Sequence, residues 1–318
     1  VIDTAVKLPL VSIVIPAFNH ADYLEEAIDS VLAQNYQNLE LIVINDGSTD
    51  HTHDLLNIIQ GDFYWESQDN IGQSQTLNRG WEMSGGDILA YLSADDVLAP
   101  DAVSASVAAL SANPNAIAVY CDFNLLDPGS RIVKTIKLPE FDYDTMLKRV
   151  WCPIGPGAFF YREAYLKAGN WNPALQEMPD YDFWLRLGLF GQFQHLPKVL
   201  AGFRVHESST SFSISTPQRA NEPVLVISNL LHQPEAKSFD KALKSTAMAS
   251  ANMVSAQLHL RAGRFSEALR NIKQAWRCSK VTLLAPRTLH LIANALFKRT
   301  WYKLLWTMRN IFGKKSSD

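Results

Sequence analysis

Apolar and polar positions in the first hundred residues switch repeatedly between a short strand-like pattern and a helical one. Val11-Ser12-Ile13-Val14-Ile15 is a β-branched run that Pro16 is expected to stop. Residues 22–34 then place Leu24, Ala27, Ile28, Val31 and Leu32 on one helical face, with Asp22 and Glu25 at capping-box spacing. Leu39 to Ile44 reads as a second strand, followed by the polar turn Asn45-Asp46-Gly47-Ser48-Thr49-Asp50 and a helical run through Ile59. Residues 63–66 read as a third strand, 73–83 as a third helix and Ile88 to Leu92 as a fourth strand. Strands separated by helices of this length predict an α/β protein with a doubly wound, mostly parallel central sheet and helices on both faces.

In such sheets ligands bind beyond the carboxyl ends of the strands. Three polar segments occupy those ends, Pro16 to His20, Asn45 to Asp50 and Ser93 to Asp96, and their convergence predicts one site. The last is the most informative. A buried strand that delivers Asp95 and Asp96 side by side to a sheet edge carries a charge problem, which a divalent cation and its phosphate ligand would relieve. Paired acids also serve helix starts, and Pro100-Asp101 marks one nearby. The first strand is followed by no Gly-x-Gly-x-x-Gly, which excludes a dinucleotide-binding dehydrogenase.

Taken together, these segments resemble the inverting, nucleotide-sugar-dependent glycosyltransferases of family 2, which have the GT-A fold. The resemblance rests on Val11 to Asn19, Asn45 to Asp50, Asn70-Ile71-Gly72 with Asn78-Arg79-Gly80, Ser93 to Asp96, and Pro179 to Arg186, and it covers about residues 10–215 in family order. It implies transfer of a hexose-type sugar from a nucleoside-diphosphate sugar, UDP-linked by preference, to a hydroxyl of a glycan or lipid-linked acceptor in surface-polysaccharide assembly. It also implies Mn2+ or Mg2+ as cofactor. Asp46 matches the acid that accepts hydrogen bonds from the base, a role a carboxylate suits. The backbone at Pro16 and Ala17 matches the wall of the base pocket, and Asn19 and Ser48 fall in the matching nucleotide-sugar segments. The same turn also reads as a simple loop with a helix cap. Asp96 matches the metal-holding acid and Asp95 a ribose or metal-water contact, while Ser93 stands where the family often has another acid. His206 matches a histidine that contacts metal or diphosphate. Asp180 matches the base that deprotonates the acceptor, with Pro179 replacing a preceding acid. Asp182 reads alternatively as the partner of Arg186, and Glu177 is a weaker candidate for the base. Trp151, Gly155 and Gly157 fall on the acceptor side, and Trp171 reads equally as sugar platform or core.

Composition adds a division of the chain. Of 318 residues 47% are hydrophobic and 19% charged, enough for a sizeable core and about two domains. Net charge is −3, yet from Arg261 onward thirteen Lys and Arg face two acids. Ser, Thr and Pro accumulate over residues 207–223, which predicts a catalytic domain over 1–215 and an α-helical region over 216–318. Ala262 to Leu269, with Ala249, Ala256 and Ala275, resembles one tetratricopeptide-like helical hairpin; a single repeat predicts packing more than partner binding. Residues 288–312 form a basic amphipathic pattern that suits either peripheral membrane contact or a docked terminal helix. Three scattered cysteines without metal spacing predict a reducing compartment. The expected location is therefore the cytoplasm, with contact at the inner face of the cell membrane, and no nucleic-acid partner is expected. Two alternatives remain: a decayed transferase that works as an interaction protein through its helical tail, and a nucleotidyltransferase. The latter is disfavoured because Pro16 to His20 is neither Gly-rich nor basic with lysine.

Overall fold

A computed structural model describes residues 8–206 and 214–295. The alternation read from the sequence is realised as β1 (Val11–Ala17), α1 (Ala21–Leu32), β2 (Leu39–Asp46), α2 (Thr52–Ile58), β3 (Tyr64–Gln68), α3 (Gln73–Met83) and β4 (Ile88–Tyr91). Their order in the sheet is β3-β2-β1-β4, and each neighbouring pair is parallel. All seven residues of β1 are buried, as expected of a central strand covered on both faces. Ile13 and Ile15 pack into a core with Leu24, Ile28 and Val31 of α1. On the opposite face Val14 lies so close to Gly80 of α3 that a side chain there would collide with it.

Pro16 does not end β1. It pairs in register with Ile44 of β2. Val14 accepts from Leu92 on the β4 side, and Pro16, two residues on, points the same way beyond the last β4 pairing at Tyr91. The missing N–H therefore removes no ladder bond. The capping box expected at Asp22 is also absent, because α1 starts at Ala21 without a side-chain cap of its own. The Ala21 N–H is taken instead by Asp50 Oδ2 at 3.1 Å.

Beyond β4 the sheet becomes mixed. β8 (Phe159–Tyr161) runs antiparallel to both β4 and β6 (Ala116–Leu126), while β6 runs parallel to β9 (Gln192–Arg204). β5 (Val97–Leu98) and β7 (Ile132–Ile136) add antiparallel edges to β9 and β6. Helices α4 (Ala102–Ala112), α6 (Arg162–Ala168) and α7 (Pro179–Leu187) accompany this half. Trp81, Phe160, Trp171, Phe183 and Trp184 form an aromatic core there, all at 2% exposure or less. Trp171 is thus a core residue, and burial of each such ring contributes roughly 2–3 kcal/mol.

The chain divides into two compact units. The first contains the sheet. The second gathers residues 143–151 and 175–178 as well as the C-terminal helices, rather than only the chain beyond 215. It comprises α5 (Tyr143–Arg149), α8 (Pro217–Leu231), a 3-10 turn at Glu235–Ser238, α9 (Lys241–Arg261), α10 (Phe265–Cys278), α11 (Lys280–Leu284) and helical residues 286–295. The expected hairpin is α9 with α10: Ala249, Ala256, Ala268 and Ala275 are buried to 1% or less, and these small residues let the two helices approach closely. Most of the basic amphipathic pattern at 288–312 lies outside the described residues. Among the described residues no helix is long and apolar enough to cross a membrane.

Candidate active site

The loops after β1 and β2 are tied together by side chains whose identity the turns demand. Asn19 has a left-handed backbone, φ +56°, a conformation its short polar side chain tolerates. Its Oδ1 accepts from the Thr49 N–H at 2.7 Å and the Asp50 N–H at 3.3 Å, while its own N–H donates to Ser48 Oγ at 2.9 Å. Asn19 and Ser48 thus act as loop staples. Pro16 and Ala17 are buried at the end of β1. Burial would raise the Asp50 carboxyl, but hydrogen bonds from Thr52 and Ala21 outweigh it and leave it below its ordinary value.

Asp46, the last residue of β2, is 2% exposed. Its Oδ1 accepts from Gln68 Nε2 at 2.8 Å and from the Ile71 N–H at 2.9 Å, and its Oδ2 accepts from the Gly72 N–H at 2.9 Å. Three of about four carboxylate acceptor positions are used, which leaves one for a further donor. Gly47 follows with φ +71°, and a Cβ there would fall 2.7 Å from the Asn70 nitrogen. Only glycine admits this approach of the 70–72 loop.

At the carboxyl end of β4 the two adjacent acids part company. Asp96 is 3% exposed, and its Oδ1 accepts from the Arg204 backbone N–H at 2.9 Å. Burial, then the Asp95 charge, pushes its carboxyl well above the ordinary carboxylate range, against the lowering influence of Arg204 and Ser93. Asp95 instead meets two imidazoles: His206 Nε2 stands 2.9 Å and His20 Nε2 3.8 Å from its Oδ2. One ligating atom from each of His20, Asp95 and His206 lies within 4.8 Å of the others. The other ring nitrogen of His20, Nδ1, is buried with no hydrogen-bond partner. Two imidazoles and one carboxylate fit a divalent transition cation such as Mn2+ better than oxygen-seeking Mg2+. This differs from the expected metal pair Asp96 and His206, since Asp95 replaces Asp96 in the cluster and His20 joins it.

Arg204 explains the arrangement. Its guanidinium is buried at 1% residue exposure and donates to the Asp95 carbonyl at 2.9 Å, Ser130 Oγ at 2.9 Å and Glu26 Oε2 at 2.7 Å. It also lies over the Tyr23 ring at 4.8 Å. His20 closes the polar segment expected at the end of β1 but is not marked there as a ligand, and Arg204 does not stand out in the sequence. Arg204 is two residues from His206, and that proximity is the only signal it offers.

Asp180 occupies the first turn of α7, behind Pro179 at the helix start, where a missing N–H costs nothing. Burial raises its carboxyl above the ordinary value, opposed by the backbone N–H groups of Tyr181 and Asp180 itself. The Tyr91 hydroxyl is pushed well above its ordinary value by burial and then by the charges of Asp180, Cys152 and Asp96. Asp182 pairs with Arg186, whose Nη2 lies 2.8 Å from Oδ2. Arg186 also donates to the carbonyls of Ala168, Gly169 and Asn170, so Asp182 has a structural role. Glu177 is engaged by Ser215 and Arg219.

The expected acceptor-side residues are divided between the two units. Gly155 packs against Phe123, and Gly157 has φ +77° with a hypothetical Cβ 3.0 Å from Cys121 Sγ, so both glycines meet demands of the first unit. Trp151 belongs to the second unit and is 37% exposed. Glu222, unmarked in the sequence, is 5% exposed and accepts the backbone N–H groups of Gln176, Glu177 and Met178 at 2.8, 2.6 and 3.0 Å.

A family model described as glycosyl transferase family 2 matches residues 12–169. The chondroitin synthase of Pasteurella multocida (strain Pm70) is 30% identical over 231 residues, which covers 71% of this chain but only 24% of the synthase. Among solved structures, TarS residues 1–349 from S. aureus, in complex with UDP-GlcNAc, superposes with a TM-score of 0.68 at 15% identity and covers 92% of this chain and 90% of that one. The mannosyltransferase PcManGT from Pyrobaculum calidifontis, in complex with GDP-Man and Mn2+, gives 0.56 at 20% identity over 96% of this chain and 88% of that one. At such identities the structural likenesses speak for the fold. With its parallel β3-β2-β1-β4 half, mixed extension and acids at the carboxyl ends of β2 and β4, the chain belongs to glycosyl transferase family 2 and has the GT-A fold.

Proposed function

We propose that this protein transfers a sugar from a nucleoside-diphosphate sugar to a hydroxyl of a glycan or lipid-linked acceptor, with inversion, in polysaccharide assembly. The observation that carries the reading is the gathering of His20, Asp95 and His206 at the carboxyl end of β4, one strand removed from Asp46 on β2. The remaining acceptor position of Asp46 receives an N–H of the base, against the backbone of Pro16 and Ala17. Asn19 and Ser48 hold the two loops that line this pocket. UDP is the favoured nucleotide: the TarS neighbour carries UDP-GlcNAc, although the PcManGT neighbour carries GDP-Man.

His20, Asp95 and His206 would hold a divalent cation. When bound, it supplies positive charge against the diphosphate. Asp96 supports the cluster from behind by fixing the Arg204 backbone. Asp180 takes the proton of the acceptor hydroxyl as that oxygen bonds to the anomeric carbon and the bond to the nucleoside diphosphate breaks on the opposite face. A base whose carboxyl is raised by burial holds that proton better than an exposed aspartate would. Trp151, Gly155 and Gly157 remain the proposed acceptor side, and contact with a membrane through 288–312 remains a proposal.

The test is a hydrolysis and transfer screen of UDP-, GDP- and dTDP-sugars with Mn2+ or Mg2+, alongside Asp180→Asn. The expected result is cation-dependent turnover of one donor class, strongest with Mn2+ and reduced by about 10²-fold or more in Asp180→Asn. Failure of every donor to turn over or to bind would defeat the reading in favour of a decayed site.

A further inference from the structure

The second unit contains a cavity of about 140 Å3, lined by Lys148, Arg149, Arg287, Thr288, Met253 and Leu291 among others, and no carboxylate is among the described residues of its wall. Lys148 is paired with Asp144 at 2.8 Å. Neither Arg149 nor Arg287 has an acidic partner among the described residues. Arg287 donates through Nη2 to the Arg149 carbonyl at 3.4 Å, which uses one of five guanidinium N–H groups. Partial burial, then the Arg149 charge, pushes the Arg287 guanidinium below its ordinary value. Helical residues 286–295 begin at the same wall, with Pro286 at the first position and Arg287 and Thr288 in the first turn. The positive end of that helix adds to the potential.

A purely structural role accounts for part of this. Lys148 and Arg149 lie in the last turn of α5, where cations offset the helix dipole. It does not account for Arg287, a third cation brought against them from a distant part of the chain. Guanidinium groups match the bidentate geometry of phosphate oxygens, and Arg149 and Arg287 share this wall. Met253 and Leu291 beside them suit an apolar stem rather than a second charged group.

We propose that this cavity is a second ligand site, distinct from the nucleotide-sugar site, and that it takes a phosphate group carried on an apolar chain. Arg149 and Arg287 hold the phosphate oxygens, Lys148 adds charge, and Met253 and Leu291 cover the first methylenes.

Calorimetric titration of the full chain with inorganic phosphate and with hexyl phosphate tests the assignment. EDTA is present throughout, and Asp95→Asn runs in parallel so that binding at the nucleotide-sugar site cannot supply the signal. Hexyl phosphate is expected to bind wild type and Asp95→Asn alike, and more tightly than inorganic phosphate. Arg149→Gln/Arg287→Gln should weaken it by at least about tenfold, and Arg149→Lys/Arg287→Lys by less. If circular dichroism shows the double glutamine variant unfolded, Arg287→Gln alone carries the comparison, with a loss of about threefold or more expected. No binding by wild type at about 10 mM ligand, or unchanged affinity in the folded glutamine variants, would overturn the site. Equal affinity for the two ligands would overturn the apolar-chain assignment.

Discussion

His206 Nε2 stands 2.9 Å from Asp95 Oδ2, while Asp96, the next residue, is turned to the Arg204 backbone. Two adjacent carboxylates therefore have different work. Asp95→Asn is expected to lower Mn2+ affinity by at least about tenfold, a scale on which even groups supporting a metal ligand act. Asp96→Asn should lower it by less, because an amide oxygen can still accept the Arg204 N–H. Titration of both variants with Mn2+, followed by its paramagnetic resonance signal, decides the order; a larger loss in Asp96→Asn would reverse the assignment.

As the proposed base, Asp180 carries a prediction for the pH dependence of transfer. Its carboxyl is raised by burial, and the base must be ionised to act, so activity should increase as pH rises through that raised value. The acid limb of kcat/KM is accordingly expected above the ordinary carboxylate value. A limb at or below that value would remove Asp180 from the role.

Asp96 makes a separate prediction about stability. Its folded-state value lies well above the unfolded one through burial and the Asp95 charge. The folded state therefore keeps a proton that the unfolded state releases, and the stabilisation is complete below the unfolded value and lost as pH rises through the folded one. Asp96→Asn removes this loss. Thermal melts in EDTA across that range should show a flatter pH profile for the variant than for wild type, and parallel profiles would contradict the inference.

Glu222 holds three consecutive backbone N–H groups immediately before α7, the helix that carries Asp180. Glu222→Ala leaves those donors without an acceptor and should cost roughly 2–4 kcal/mol. Glu222→Gln keeps one acceptor oxygen and should cost less. In the folded Gln variant kcat is expected to fall more than KM rises, because the change reaches the proposed base through the chain segment that leads into its helix rather than through the nucleotide. A change confined to KM would count against that role.

The alternation of strands and helices, and the three polar loops at the carboxyl ends of β1, β2 and β4, were legible in the chain because periods of 2.0 and 3.6 are local properties. Family segments likewise pointed to Asp46, Asp95, Asp96 and Asp180 by their neighbours in sequence. The mixed half of the sheet was not legible, since β8 inserts between β4 and β6 only when distant segments pair. Nor was the effect of Pro16, which depends on where β4 stops, nor the loss of the Asp22 cap to Asp50 from another loop. His20 and His206 reach Asp95 only in the folded molecule, and Glu222 finds the 176–178 N–H groups in the same way. Local patterning sets which elements form, whereas unpaired donors and charges are matched by whichever groups the tertiary structure brings within reach.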